Sequence, residues 1–183
     1  MTSRTFIGID PGAAGAVAWS DRTGVHVYPM PDTRGDCITL IKGIVDSWMN
    51  LGNSNEPMVA YIEKITGFIP DGGASQMFEF GKNVERMGCI CETLGIRLIE
   101  ITPQAWQKCL GLGTSDRMRP KKDSTDEERK AIKVHNAAAK RDWKNKLKEN
   151  AQRRFPDQKV TLKTCDALLI LDVGIKMEGQ QLL

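Results

Sequence analysis

The chain has 183 residues, 40% of them hydrophobic and 27% charged, an ordinary composition for a single domain with its own core. No run approaches the roughly 18 apolar residues that span a bilayer, and the N-terminus lacks a charged-then-apolar signal pattern, so no membrane role is expected. The net charge of +3 is uneven: Arg117 to Arg154 carries fourteen Lys/Arg against six Asp/Glu, which leaves twelve against seventeen elsewhere; such a basic run is either solvated surface or the footprint of a nucleic-acid partner.

Phe6-Ile7-Gly8-Ile9-Asp10 is an apolar run that ends on a carboxylate. The Pro11-Gly12 turn follows, then a second apolar run from Ala16 to Trp19, a pattern that predicts a β-hairpin with Asp10 on a central strand. A lone buried carboxylate is costly unless hydrogen bonds, a cation or a metal ion compensate it; a simple turn cap is the other reading of Asp10. Val25 to Tyr28 reads as a third, antiparallel strand, stopped by Pro29 and Pro31. Ile38, Ile41, Ile44, Val45, Trp48 and Met49 recur at helical period over 37–51, with Asp36 as N-cap. Residues 51–57 are a loop. Met58 to Ile65 is the next strand, and Glu63 lies towards its end. Adjacent parallel strands ending on Asp10 and Glu63 would let the two acids share one cation at the carboxyl end of an open α/β sheet. Pairing of Glu63 with Lys64 on an exposed strand tip is the alternative.

The glycine-rich stretch 66–75 is a loop tipped by Phe68 and Ile69, which either dock on the core or stack on a base. Residues 75–94 form a helix with Met77, Phe80, Val84, Met87, Ile90 and Cys91 on one face, and Gly81 and Gly88 suit close approach of another helix. Arg97 to Ile101 is a strand; Thr102 as N-cap and Pro103 at the first helical position then open a helix that ends at Gly111. Residues 114–125 read as a mobile basic linker. Residues 126–155 read as a long helix whose buried stripe is Ile132, His135, Ala139, Trp143, Leu147 and Ala151. The last helix, Thr161 to Gly174, carries Asp166 in its first turns on the face of Leu169, Ile170 and Val173. That acid is either expensively buried or aimed at a metal, whereas Asp172 points to solvent. Cys37, Cys89, Cys91, Cys109 and Cys165 form no CxxC pair, which fits free thiols in a reducing cytosol.

GIDPGAAGA (Gly8 to Ala16), YIEK (Tyr61 to Lys64), MFEFG (Met77 to Gly81), TPQAWQK (Thr102 to Lys108), RRFP (Arg153 to Pro156) and CDALLI (Cys165 to Ile170) resemble motifs of the ribonuclease H-like superfamily. Within it the chain resembles the RuvC-type Holliday-junction resolvases, most of all their phage-borne relatives. The motifs stand in the family's order across almost the whole chain. The resemblance implies an α/β fold with a mixed five-stranded sheet flanked by helices. It also implies one nuclease domain over 1–183, with 114–140 as a basic insertion. The implied activity is a divalent-metal-dependent endodeoxyribonuclease that resolves four-way junctions by paired symmetric nicks. Asp10, Glu63 and Asp166 would be its catalytic carboxylates and would hold two Mg²⁺ or Mn²⁺ ions. The family's usual fourth residue, an Asp or His three positions before the last acid, is here Lys163. A charged lysine does not ligate Mg²⁺, and its implied role is contact with the scissile phosphate. Lys108, Lys121, Lys122, Lys140 and Lys144 would hold phosphates, and Phe68 would stack on junction bases. The implied partners are branched DNA and a second copy of the chain, joined through the helix at 75–94. The implied compartment is the cytoplasm of a bacterium or a phage-infected cell.

Three rival readings follow from the same residues. A general branched or flap nuclease has the same fold. A junction-binding protein without catalysis is suggested by Lys163. A sugar kinase or actin-like ATPase also opens with a Gly-Ile-Asp hairpin, but needs a second such domain and a second acidic phosphate loop, which 183 residues do not supply.

Overall fold

In the computed structural model of the chain, residues 5–50, 58–64 and 73–180 are described. The chain runs β1 (Phe6–Asp10), β2 (Ala16–Asp21), β3 (Gly24–Pro29), α1 (Arg34–Asn50), β4 (Val59–Glu63) and α2 (Ala74–Thr93). It continues through β5 (Arg97–Ile101), α3 (Pro103–Cys109), α4 (Asp126–Arg154) and α5 (Cys165–Gln180). The strands form one mixed sheet in the order β3-β2-β1-β4-β5. Tight turns make β1, β2 and β3 antiparallel, whereas the helical crossovers α1 and α2 make β4 and β5 parallel to β1. β1 is therefore the central strand, as its apolar run predicts.

Alternation along the strands builds two cores. Ile7, Ile9, Val17, Ala60 and Ile62 pack under α1 and α2 against Cys37, Ile41, Ile44, Met87, Ile90 and Cys91. On the opposite face Phe6, Ala18, Val59 and Tyr61 meet α5, with Trp106 of α3 and Leu147 and Ala151 of α4. α5 is apolar on nearly all sides because it is sandwiched: Ala167 to Leu171 are fully buried. It lies flat on β1 at Gly8, where a Cβ would overlap the Ala167 carbonyl and the Leu171 amide. That contact is what requires glycine in the middle of the first strand.

Several local expectations are corrected. α1 is capped by Thr33, not Asp36: the Asp36 amide donates to Thr33 Oγ1 at 3.1 Å, and the Thr33 hydroxyl donates to Asp36 Oδ2 at 2.6 Å. α5 begins at Cys165, after a turn in which the Thr161 amide donates to Thr164 Oγ1 (2.9 Å) and the Thr164 amide to Thr161 Oγ1 (3.2 Å). Asp172 does not face solvent freely. Its Oδ2 accepts from Arg154 Nη1 at 2.7 Å and Lys176 Nζ at 3.0 Å, joining α4 to α5.

The 114–125 segment has no regular structure, but it is strapped along α4 rather than detached. The Met118 amide donates to Asn136 Oδ1 at 2.8 Å and Asn136 Nδ2 returns a bond to the Met118 carbonyl at 3.0 Å. Arg129 donates to the carbonyls of Ser124, Lys121 and Lys122. Thr125 and Glu128 close a reciprocal capping box that starts α4 where the sequence places it. The expected stripe on α4 is buried only at Leu147 and Ala151, and Ile132, His135, Ala139 and Trp143 are half-buried. All five cysteines are free. Among the described residues no helix is long and apolar enough to cross a membrane.

Candidate active site

Asp10 ends β1 and Glu63 ends β4, and the two strands pair in parallel up to Ile9 and Ile62, so the acids emerge side by side. Both fall on the α5 face of the sheet, since Phe6, Gly8 and Asp10 alternate with the buried Ile7 and Ile9 of the other face. α5 delivers Asp166 from its first turn, 6% exposed. Each acid has its own support. Asp10 Oδ1 accepts from the Gly12 amide at 3.2 Å, in a turn closed by a 2.8 Å bond from the Gly15 amide to the Gly12 carbonyl. A Cβ at Gly15 would come within 2.8 Å of Asp10 Cγ, so only glycine lets the loop wrap the carboxylate. Glu63 Oε1 accepts from Trp106 Nε1 at 3.1 Å. Asp166 Oδ1 accepts from the neighbouring Cys165 thiol at 3.2 Å. The alternative partner of Glu63 is engaged elsewhere: Lys64 donates to Glu100 Oε2 on β5 at 2.9 Å.

A cation of the chain's own stands among these acids. Lys144 Nζ forms an ion pair with Asp166 Oδ2. Burial works against its charge, but the carboxylates of Asp166 and Asp10 outweigh that and raise its pKa. Burial, then repulsion from Asp166, pushes the Asp10 carboxyl up to about 6 against the pull of Lys144 and the Gly12 amide. Burial, then repulsion from Asp10 and Asp166, pushes Glu63 up to about 7, against the Trp106 N–H and Lys144. Burial and Asp166 raise the Cys165 thiol to about 12, so it stays protonated. The acids thus feel one another strongly. Yet among the described residues no three Asp, Glu, His or Cys side chains stand close enough to ligate one ion together.

Two of the three acids, rather than all three, could hold a divalent cation. Asp10 and Glu63 are adjacent hard oxygen donors with excess negative charge, and Mg²⁺ is commonly held by one or two carboxylates with water and a substrate phosphate completing its shell. Asp166 has its Oδ2 occupied by Lys144.

Over 97% of its length the chain is similar to Thermus thermophilus RuvC in complex with Holliday junction substrate, covering 96% of that chain with TM-score 0.57 and 9% sequence identity. The chain folds like RuvC. A second Thermus thermophilus RuvC structure aligns with TM-score 0.48 and 12% identity, covering 96% of each chain. No family model matches the sequence, and no curated protein matches it. At these identities the likeness is one of fold, and the sheet order and flanking helices described above are the ribonuclease H-like architecture.

The other expected site residues divide. Lys144 is drawn onto Asp166 rather than left open on the surface. Lys163 sits in the exposed turn before α5, and its side chain makes no ion pair among the described residues. Lys108, Lys121, Lys122 and Lys140 are exposed. Lys140 lies one helical turn before Lys144 on the same face of α4, so it continues a basic row outward from the acids. Phe68 and Ile69 lie outside the described residues. The only trace of Trp106's role in the sequence is its place in the TPQAWQK motif.

Two measurements follow from this geometry. Trp106→Phe keeps a buried ring but removes the N–H that orients Glu63. It is expected to weaken divalent-ion affinity and any nucleolytic rate about tenfold, as loss of a ligand's hydrogen-bonding partner generally does. Mn²⁺ titration and initial rates at constant helicity would check it, and unchanged values would count against the positioning role.

The raised acids also set a pH dependence. In the unfolded chain both titrate near 4, but folded they hold their protons to about 6 and 7. Their stabilising contribution is full below about pH 4 and is lost as pH rises through 7. The melting temperature in EDTA is therefore expected to fall between pH 5 and pH 8, and Mn²⁺ to restore part of the loss at pH 8. A melting temperature indifferent to both would show that the acids do not repel as described.

Proposed function

We propose that the chain is a metal-dependent, structure-selective DNA endonuclease that nicks four-way junctions in pairs. The observation that carries this reading is the meeting of Asp10, Glu63 and Asp166, from β1, β4 and α5, at the carboxyl ends of the central parallel strands. The similarity of the fold to a RuvC bound to junction DNA supports the choice of substrate. Asp10 and Glu63 hold the divalent ion, Mg²⁺ or Mn²⁺, with Trp106 fixing the orientation of Glu63. When bound, such an ion makes water nucleophilic near neutral pH and stabilises charge on the phosphate. The chain does the rest by placement. Lys144 and Asp166 set the charge on the third side of the site, and Lys108, Lys140, Lys121 and Lys122 hold flanking phosphates without reading sequence. Lys163 meets phosphate from the turn before α5. Phe68 is assigned to stacking on a junction base on sequence grounds alone, and the resemblance of the motifs supports a kinship with the phage-borne relatives.

Paired nicks require two sites related by a two-fold axis, and we assign the contact to α2. Its early turns leave Phe78 69% exposed, and a Cβ at Gly81 would meet nothing within 4 Å, which leaves room for a second helix. Light scattering should give a dimer; a monomer at working concentrations would overturn the paired-nick part of the reading.

The deciding experiment offers labelled four-way junction, flap and duplex DNA to the protein in Mg²⁺ and then Mn²⁺. Paired symmetric junction nicks are expected. Equal cutting of flaps and junctions would move the assignment to general debranching. Junction binding without cutting in either metal would make the chain a non-catalytic scaffold.

A further inference from the structure

The oxygens of the three acids are not equally available. Asp166 has donors on both: Lys144 Nζ on Oδ2 and the Cys165 thiol on Oδ1 at 3.2 Å. Among the described residues Asp10 has a donor only from the Gly12 amide, and Glu63 only from Trp106 Nε1, so each keeps an oxygen without a partner. Lys144 thus occupies an oxygen of the third acid that a second ion would need.

Lys144 is held there by the packing of its own helix. Leu147, three residues on and 2% exposed, and Trp143 beside it turn this face of α4 inward towards α5. The Lys144 side chain is 36% exposed and that of Asp166 only 9%, so the pair is sheltered rather than a loose surface contact.

We propose that the Lys144 ammonium takes the place of one of two cations, so that each chain holds a single divalent ion on Asp10 and Glu63 while Lys144 serves Asp166. This rests on the nuclease reading above. An ammonium does part of a metal ion's work, since it stabilises negative charge on a phosphate oxygen. It does not lower the pKa of a bound water as a divalent ion does. Activation of water therefore belongs to the Asp10–Glu63 side and charge stabilisation to the Lys144–Asp166 side.

The test is to count ions in the DNA-free protein. Mn²⁺ is titrated into wild type, Lys144→Gln and Lys144→Arg, with free Mn²⁺ followed by electron paramagnetic resonance and folding by circular dichroism. One Mn²⁺ per chain is expected for wild type and for Lys144→Arg, which keeps the charge. Lys144→Gln frees Asp166 and removes a repelling charge. It is expected to take a second Mn²⁺ and to bind the first about tenfold more tightly. Two ions per wild-type chain would overturn the proposal, and so would a Gln variant that matches wild type in both number and affinity. The wild-type count decides alone if the Gln variant fails to fold. No Mn²⁺ binding together with no junction cutting removes the nuclease reading and this proposal with it. Two Mn²⁺ with junction cutting intact removes only the role given to Lys144.

Discussion

Asp10→Asn is expected to abolish nicking of a four-way junction, by at least about 10³-fold, while making the metal-free protein more stable. The first effect is the loss of a charged oxygen that nothing else on β1 replaces; removing one preorganised electrostatic group commonly costs 10²–10³-fold, and a metal ligand costs more. The second follows from the displaced pKa. With the carboxyl raised to about 6, ionising it at pH 7.5 costs the folded chain up to about 3 kcal/mol relative to a neutral side chain. Asparagine is neutral and its Oδ1 still accepts from the Gly12 amide. A gain of several degrees in melting temperature in EDTA is expected, shrinking towards pH 5, where the aspartate itself is mostly protonated. Calorimetry at the two pH values beside a junction-cleavage assay checks both halves. A variant that still cuts would remove Asp10 from the site, and one that melts below wild type would show that the carboxylate is compensated rather than strained.

Gly8→Ala is expected to have the largest effect on stability, a loss of about 3 kcal/mol, the upper end of the usual overpacking cost, because the clash is with backbone. The added methyl would meet the backbone of α5 at Ala167 and Leu171, and neither can move as a flexible side chain would. α5 would have to lift from the sheet, which opens the contact between Phe6, Tyr61 and Leu168 to Leu171. Asp166 would move with it, and a displacement of about 1 Å costs of the order of 10²-fold in rate. Gly43→Ala on α1 is the control, because a methyl there meets nothing within 4 Å and should stabilise by up to about 1 kcal/mol. Urea denaturation of the two variants would settle the matter, and a cost below about 1 kcal/mol for Gly8→Ala would mean that α5 is not seated as tightly as the close approach implies.

Much of this site is legible in the chain because its signals are local. An apolar run that stops on an acid marks both β1 and β4, since a strand end on a two-sided sheet has no other economical place for a carboxylate. Thr102 before Pro103, and Thr125 three residues before Glu128, announce α3 and α4 within one helical turn. Local signals also mislead where two candidates sit close together. Thr33 and Asp36 both belong to the α1 cap, and only the hydrogen bonds show which residue precedes the first turn.

The partners of the charges were not legible. Lys144 reads as a phosphate-holding lysine on a basic helix, and Trp106 only as part of the short helix opened by Thr102 and Pro103. The first reaches an acid 22 residues away and the second an acid 43 residues away, once α4 and α3 pack on the α5 face of the sheet. Asp172 meets Arg154 for the same reason, across 18 residues. By itself the sequence determined the elements, the order of the three acids and the fold to which they belong, because backbone preference and apolar period act within a few residues. Which cation neutralises which acid, and which oxygens stay open for a metal, was decided only by tertiary structure, because Coulombic and hydrogen-bonded pairing depends on distance between elements rather than on spacing along the chain.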